Sequence, residues 1–337
     1  MNDATYLVVD AGTSRTRVRL WHQGAVVDEG SEAVGAKDVA LAGDSAPIAE
    51  ALARLIPAVR SGHDLVPAAV VCSGMITSNV GLVEVPHETA PVGLHELARR
   101  LVRHDVPAVT ELPVYFVPGV KTVAEERDWQ ALSRFDVMRG EEVEVAGLLA
   151  ALDLEPPLAF FHCGSHHKLI EVGAPSCDEG PVVLRSSTSI TGELLAAVRE
   201  RTILASSLED LAGLKLDSEA ITAGVRHASE FGFGRAAFLV RVGQVIAGLT
   251  RAEATALLVG ALTALDLQLI AQELGPDQTL VLYGGGVFPS VLRHELKREG
   301  RQHVRLVDAA TSGRVATTGA VRLLEEYLTH QVSEDRP

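Results

Sequence analysis

The chain has 337 residues, more than one core usually holds, so two domains of ordinary size are expected. A hydrophobic share of 47% with a mean hydropathy of +0.19 suits a globular α/β protein, and no apolar stretch reads as long and uninterrupted enough to span a bilayer. The formal charge of -14 argues against non-specific nucleic-acid binding, which needs cations to neutralise phosphates, so any anionic ligand must be held by local donors.

In chain order, the first element is LVVDAGTSRTRVRLW at residues 7–21. Leu7, Val8 and Val9 form a short run of the kind buried in mid-sheet, Gly12 supplies a backbone that can turn, and an alternating strand follows. A hairpin is expected, with Thr16, Val18 and Leu20 on one face and Arg15, Arg17, Arg19 and Trp21 on the other, half-exposed face. Asp10 at the strand end has two readings. It is a turn acceptor, as in most Asp-x-Gly segments, or a carboxylate beside free N–H groups where a magnesium-bound phosphate would sit.

Residues 68–86, AAVVCSGMITSNVGLVEVP, read as a buried strand, a polar loop built on Ser73, Gly74, Thr77, Ser78 and Asn79, and a following strand. Residues 137–152, VMRGEEVEVAGLLAAL, read as a helix entered at Gly140, with Val143, Ala146, Leu149 and Ala150 along one stripe. Its acidic start suits a solvated first turn at the positive end of the helix dipole, or a functional carboxylate. Pro156 and Pro157 end the helix and mark a boundary between an N-terminal domain at 1–155 and a C-terminal domain at 156–337.

Residues 158–172, LAFFHCGSHHKLIEV, repeat the opening pattern of strand, turn and strand, with Leu169 and Glu171 opposing Lys168 and Ile170. His162, His166 and His167 surround Cys163, but the Gly164-Ser165 turn denies them a common helical face. Packed or solvated histidines and a buried cysteine are expected there in preference to a metal site or a thiolate nucleophile. Residues 280–296, LVLYGGGVFPSVLRHEL, read as a strand broken at Gly284, Gly285 and Gly286 that continues as a helix, and 293–303 as a solvated helix face and loop. The last helix is expected over roughly Thr317 to Leu328, followed by a disordered SEDRP tail. Two strand-turn-strand units and a triple-glycine turn offer backbone donors and a close-approach surface suited to a nucleotide. The cysteines Cys72, Cys163 and Cys177 are too few and too irregular for a disulfide framework. The N-terminus carries no basic segment followed by an apolar one, and a reducing cytoplasm is the expected setting.

In this order, DAGTSRTRVRLW, SGMITSNVG, VMRGEE, CGSHHK, TSITGELL and EAITAGV resemble the 2-dehydro-3-deoxygalactonokinases, from about Asp10 to Gly319. The resemblance implies a sugar-acid kinase of the actin, hexokinase and Hsp70 ATPase superfamily. It implies an α/β chain of two ribonuclease-H-like domains, each a five-stranded sheet flanked by helices, with ATP in the cleft between them and the final helix able to pack back on the N-terminal domain. It further implies that Asp10, Gly12, Thr13 and Ser14 form a first phosphate loop, that Gly164, Ser165 and His166 form a second, and that Gly284, Gly285 and Gly286 lie near the adenosine. The segment Met138–Glu142 resembles the helix start that carries a catalytic glutamate in exopolyphosphatases. Three departures stand in or beside these motifs: Ala11 where the family usually has Trp, CGSHHKL at 163–169 where it has Pro-Gly-Thr-His-Cys-Lys-Trp, and Thr77 where it has Gly.

On this reading ATP and Mg²⁺ are the cofactors, Asp10 orients the metal through water, and the two loops supply donors to phosphate oxygens. Arg139 foremost, with Arg15, Ser78 and Asn79, would meet the acceptor's carboxylate. Glu142 is favoured over Glu141 as the base, because residues three apart share a helix face, which places Glu142 with Arg139 and Glu141 with Glu144. The implied reaction is phosphorylation of 2-dehydro-3-deoxy-D-galactonate, or a close 2-keto-3-deoxy sugar acid, at its terminal hydroxyl in galactonate catabolism. No nucleic-acid or membrane partner is expected, and homo-oligomerisation is left open. An exopolyphosphatase-like phosphohydrolase and a non-sugar actin-like ATPase are the alternatives.

Overall fold

The computed structural model describes residues 4–175 and 179–334; Cys177 and the last three residues of the SEDRP tail lie outside them. The described residues divide into two compact units, one within Met1–Pro156, Glu171–Ser186 and Gly313–Pro337, the other within Pro157–Ile170 and Ser187–Ser312. The expected cut at 155/156 is therefore corrected, because two later segments return to the first unit. Backbone pairing returns the first of them: Val182 and Val183 pair antiparallel with Gly93 and Val92. Helix packing returns the second.

In the first unit, β1 (Thr5–Ala11), β2 (Thr16–His22) and β3 (Ala25–Glu32) form an antiparallel meander. Helices α1 (Ala36–Ala42) and α2 (Ala46–Arg60) lead to β4 (Ala69–Gly74), which runs parallel to β1. The short strands β5 (Glu88–Thr89) and β6 (Val92–Gly93), helix α3 (Leu94–Arg99) and edge strand β7 (Val102–Arg103) precede β8 (Val114–Phe116), which is parallel to β4. The sheet order is β3-β2-β1-β4-β8-β7. The expected five strands are present, with β7 as a sixth that pairs antiparallel at the edge. Two further strands, β9 (Val120–Thr122) and β10 (Asp136–Met138), join β5 in a small sheet that delivers the chain to α4 (Glu141–Leu152).

Leu7 and Val9 pack in one cluster with Ile48, Leu52, Leu55, Ile56 and Val59 of α2, and the C-terminal helix, Val315–Glu334, packs on β1, β4, α3 and α4. That helix buries Arg19, which the alternation had placed on the half-exposed face. Its guanidinium donates to Thr317 Oγ1 at 2.9 Å, to Glu29 Oε2 at 3.1 Å and to the Gly313 carbonyl at 3.4 Å. The helix begins two residues before the expected Thr317 and runs on through Ser333 and Glu334 of the expected tail. The strand expected near residues 80–86 is irregular backbone, held by bonds from Leu82 and Val83 to the Ile76 carbonyl and from Val85 to the Thr77 carbonyl. The stripe on α4 is also corrected. Val143 and Ala146 are buried, but Val145 and Leu148 join them while Ala150 is exposed, because α4 packs against a neighbouring helix over a broad face.

The second large sheet repeats the plan, with the end of β12 and most of β13 falling in the segment that returns to the first unit. Strand β11 (Leu158–Cys163) is followed by β12 (His167–Gly173) and β13 (Val182–Ser189), then by helices α5 (Thr191–Arg201), α6 (Ser218–Phe231), α7 (Phe233–Ile246) and α8 (Arg251–Glu273). Strand β14 (Leu280–Gly284) pairs parallel with β11, helix α9 (Phe288–Arg298) follows, and β15 (Val304–Leu306) pairs parallel with β14. The strand order β13-β12-β11-β14-β15 matches β3-β2-β1-β4-β8 position for position. Each is the ribonuclease-H-like order, and the chain is a duplicated α/β fold of that class. Both Lys168 and Ile170 on one side of β12 and Leu169 on the other are buried, so this strand is covered on both faces. On α9, the expected solvated face holds for Arg293, His294, Lys297 and Arg298, whereas Glu295 is buried and accepts from Thr222 Oγ1 at 2.7 Å and Arg298 Nε at 2.8 Å.

The expectation that no stretch could span a bilayer is corrected by α8, whose length and apolar composition suffice. Most of this helix is buried inside the second unit, where an all-round apolar helix serves as a core element. It crosses α6 at minimal distance: a Cβ at Gly224 would run into the Leu257 carbonyl, and one at Gly260 into the Ile221 carbonyl. The first unit uses the same reciprocal contact, Gly147 against the Val315 carbonyl and Gly319 against the Val143 carbonyl.

Gly319→Ala should therefore push the C-terminal helix off α4 and cost about 1–3 kcal/mol, the usual penalty for overpacking. Gly275→Ala is the control, since a Cβ there meets nothing within 4 Å. Denaturant melts in which both variants match the wild type would contradict the tight crossing.

Candidate active site

Strand β1 ends with Asp10 opposite Ser73 and Ala11 opposite Gly74 of β4. The turn beyond it is closed by Gly12 N–H donating to the Arg15 carbonyl at 2.9 Å. Its other carbonyls are taken up from behind: Ala36 N–H donates to the Gly12 carbonyl at 3.1 Å and Lys37 N–H to the Thr13 carbonyl at 2.9 Å, both from the start of α1. Gly35 makes this approach feasible, since a Cβ there would lie 2.6 Å from Gly12 O and Thr13 O. Thr13, Ser14 and Arg15 are left exposed, and Arg15 donates to Ser31 Oγ at 3.2 Å. The Asp10 side chain is 28% exposed and lies 3.6 Å from the Arg17 guanidinium.

Gly74 connects this turn to the acidic cluster. Its φ of +81° is a left-handed conformation that favours glycine. A Cβ there would sit 2.6 Å from the Ala11 carbonyl and 3.4 Å from Asp10 Oδ1, while a Cβ at Gly140 would sit 3.4 Å from Gly74 Cα. The start of α4 is thus set against the end of β4. Glu142 is 1% exposed; its Oε1 accepts from Gly140 N–H at 2.7 Å, and its Oε2 is buried without a hydrogen-bond partner. Burial, reinforced by the neighbouring Glu141 charge, pushes its carboxyl up to about 8, against the lowering effect of backbone donors and Arg139. Glu141 is half-buried and accepts from Arg139 N–H at 3.2 Å.

The helix-face argument that paired Glu142 with Arg139 is corrected, because Arg139 precedes Gly140, where the chain has not yet entered the helix. The two are neighbours through charge. Arg139 itself is engaged by the chain: its guanidinium donates to Thr77 Oγ1 at 2.6 Å and the Val85 carbonyl at 2.7 Å, and reaches His87 Nδ1 at 3.3 Å. It pins the irregular 77–87 segment, and burial holds its pKa below the usual arginine value. His87 is depressed to about 4 by burial and by the Arg139 and Lys121 charges, so it is a neutral acceptor at pH 7. Ser78 is nearly buried, with its hydroxyl donating to the Met75 carbonyl at 2.7 Å, whereas Asn79 is exposed.

In the second unit, Gly164, Ser165 and His166 link β11 to β12, with Ser165 and His166 exposed. This turn is held as the first one is. Glu193 N–H, at the start of α5, donates to the Ser165 carbonyl at 2.7 Å, and Gly192 is close enough that a Cβ would strike the Gly164 carbonyl. His166 Nε2 meets Glu193 Oε2 at 3.0 Å. The triple glycine lies alongside, with Gly285 N–H donating to the Cys163 carbonyl at 3.0 Å and Gly284, at φ +114°, packed on Cys163. Cys163 is 1% exposed and burial raises its thiol well above the ordinary value, which removes it as a nucleophile. Among the described residues no group of three His, Cys, Asp or Glu could hold a metal ion.

Sequence reasoning missed the partners that only tertiary structure supplies. Gly35 and Gly192 buttress the loops, Thr77 and His87 meet Arg139, and the Lys121 charge acts on His87. His167 and Asp266, 99 positions apart, meet in the second core. A glycine at each helix start was the one local signal for the buttresses.

The profile of the 2-keto-3-deoxy-galactonokinase family matches residues 10–318. The chain is 30% identical over 329 residues to the "probable 2-dehydro-3-deoxygalactonokinase DgoK1" of Rhizobium meliloti (strain 1021), covering 95% of this chain and 97% of that one. It also resembles the crystal structure of a provisionally assigned 2-dehydro-3-deoxygalactonokinase from Sinorhizobium meliloti, with a TM-score of 0.71 and 27% identity over 94% of this chain and 98% of that one. With paired loops in two like units and this agreement along nearly its whole length, the chain belongs to the 2-keto-3-deoxy-galactonokinase family of phosphotransferases.

Proposed function

We propose that the protein transfers the terminal phosphoryl group of ATP to the terminal hydroxyl of 2-dehydro-3-deoxy-D-galactonate or a close 2-keto-3-deoxy sugar acid. The observation that carries this reading is the turn repeated in both units, whose carbonyls are bonded from behind by a helix start and whose hydroxyl-bearing residues face solvent. Such turns bind phosphate oxygens through N–H and hydroxyl donors. In the first unit Gly12, Thr13 and Ser14 would do so; in the second, Gly164, Ser165 and His166, with Gly284, Gly285 and Gly286 giving the close approach an adenosine needs. The sugar acid and ATP are its small-molecule partners, and galactonate breakdown in the cytoplasm is its proposed setting.

Magnesium keeps several waters and takes one or two carboxylates besides phosphate oxygens. A single, partly exposed carboxylate at a strand end, Asp10, fits that mode of binding. Bound there, the ion would neutralise charge on the transferring phosphate. Glu142 is the proposed base, supported by its unpartnered Oε2 and by a pKa near working pH, and Glu141 is left as a backbone cap. Arg139 with Lys121 would supply the positive field for the acceptor's carboxylate, and the exposed Arg15 and Asn79 remain candidates for direct contact; Ser78 would contribute through the loop it closes.

A coupled ADP-release screen over 2-keto-3-deoxy sugar acids, aldonic acids and neutral hexoses tests the substrate class. Turnover is expected with the keto-deoxy acids, and turnover with neutral hexoses alone would end this reading.

Asp10→Asn should stay folded and lose about 10² -fold or more in kcat, since the charge it removes is used most in the transition state. Near-normal turnover would reduce Asp10 to a turn acceptor.

A base must be ionised to accept a proton, so kcat/KM should climb with pH up to about 8, where Glu142 titrates, and level off above it. Glu142→Gln should lose about 10²–10⁴-fold and abolish that rise, while Glu141→Gln loses little. The opposite ranking would transfer the role to Glu141.

A further inference from the structure

The second core contains a buried polar chain whose members lie outside the loop proposed to meet phosphate. Asp266, on α8, and His167, on β12, are both fully buried. His167 Nδ1 donates to Asp266 Oδ2 at 2.7 Å. The other carboxylate oxygen, Oδ1, accepts from Thr191 Oγ1 at 2.7 Å, and Thr191 Oγ1 lies 2.6 Å from Ser189 Oγ. With Nδ1 given to the carboxylate, His167 Nε2 is left buried without a hydrogen-bond partner. The ring is packed edge-on against Phe288, with centroids 4.7 Å apart, and against Phe161 at 5.9 Å.

A carboxylate in a core is costly unless its lone pairs are satisfied, and a ring nitrogen left bare adds to that cost. Apolar residues of similar volume would fill the space at least as well. What the carboxylate provides is a fixed distance between two chain segments. His167 is the residue directly after the Gly164–His166 turn. Thr191 opens α5, and the next two residues hold the turn: Gly192 packs on the Gly164 carbonyl, and Glu193 bonds the Ser165 carbonyl through its N–H and His166 through its carboxylate. One side chain on α8 thus grips both the exit of the turn and the helix start that supports it.

We propose that Asp266 and Thr191 are positioning residues for nucleotide, which set the Ser165 and His166 donors at the spacing a polyphosphate requires; this rests on the kinase reading given above. Neither residue touches the phosphate. Their effect reaches it through the Glu193-to-Ser165 bond, so it is confined to ATP and spares the sugar acid, whose proposed contacts are in the first unit.

The test compares Thr191→Val, which keeps the side-chain shape and removes the hydroxyl, with Thr191→Ser, which keeps the hydroxyl. Steady-state kinetics are run against ATP and acceptor separately, with hydrogen exchange at the Glu193 amide. Thr191→Val should raise KM for ATP about tenfold, leave KM for the acceptor within about twofold and speed exchange at Glu193, and Thr191→Ser should restore all three. An unchanged KM for ATP in folded Thr191→Val, or equal losses for both substrates, would overturn the assignment. Should the valine variant not fold, the wild type still decides: the Glu193 amide must be among the slowly exchanging amides of α5, and rapid exchange there refutes the grip. A wild type that releases no ADP with any sugar acid would remove the kinase reading, and this inference with it, whereas an active wild type beside an unaffected variant removes only the positioning role.

Discussion

A turn can present its N–H groups and hydroxyls outward only if its carbonyls are satisfied from behind. That constraint governs both ends of this chain's duplicated fold. In the first unit the start of α1 takes the carbonyls of Gly12 and Thr13; in the second the start of α5 takes that of Ser165. The bonds come from helix termini, whose first N–H groups have no partner within the helix and need one. Each arrangement therefore resolves two deficits at once, and neither tolerates a side chain at the contact, which is why Gly35 and Gly192 stand there.

Electrostatics in the first unit follow from burial acting on a few adjacent groups. Glu142 is kept partly protonated by desolvation, His87 is kept neutral by desolvation and two cations, and Arg139 retains its charge while spending its donors on Thr77, Val85 and His87. The outcome is that the neutral His87 lies in the field of two cations, Arg139 and Lys121, in a chain whose net charge is -14. Because Arg139 is tied to the 77–87 segment, that field is fixed in place by backbone the arginine itself organises.

Much of this was legible in the sequence. Apolar runs ending at Asp10, Gly74, Cys163 and Gly284 marked the central strands, and the order of the glycine turns marked the duplication. The remainder depended on contacts between distant residues. Alternation placed Arg19 toward solvent, but the C-terminal helix covers it, and no local pattern announces a helix arriving from 298 positions away. Valines at 80–86 read as a strand, yet that backbone is satisfied by Ile76 and Thr77 and by the Arg139 fork. The stripe on α4 failed because two glycine-lined helices pack so closely that a broad face is buried. Spacing put Glu142 and Arg139 on one helix face; the actual helix starts at Glu141, two residues too late for that rule to apply.

Helix α8 has a consequence during synthesis and refolding. Met outside the fold, its 23 residues are long and apolar enough in composition to cross a bilayer. Machinery that sorts nascent segments by hydrophobicity would weigh it as a membrane candidate until it docks on α6 and β12, which precede it in the chain. Asp266 lies in the interior of that segment, where a carboxylate opposes insertion by about 2.5–3.5 kcal/mol. In the folded protein the same carboxylate accepts hydrogen bonds from His167 and Thr191. The residue that makes the helix a poor guest for a bilayer is thus the one its own core is built to accept, and the polar chain around it directs the segment to its proper solvent.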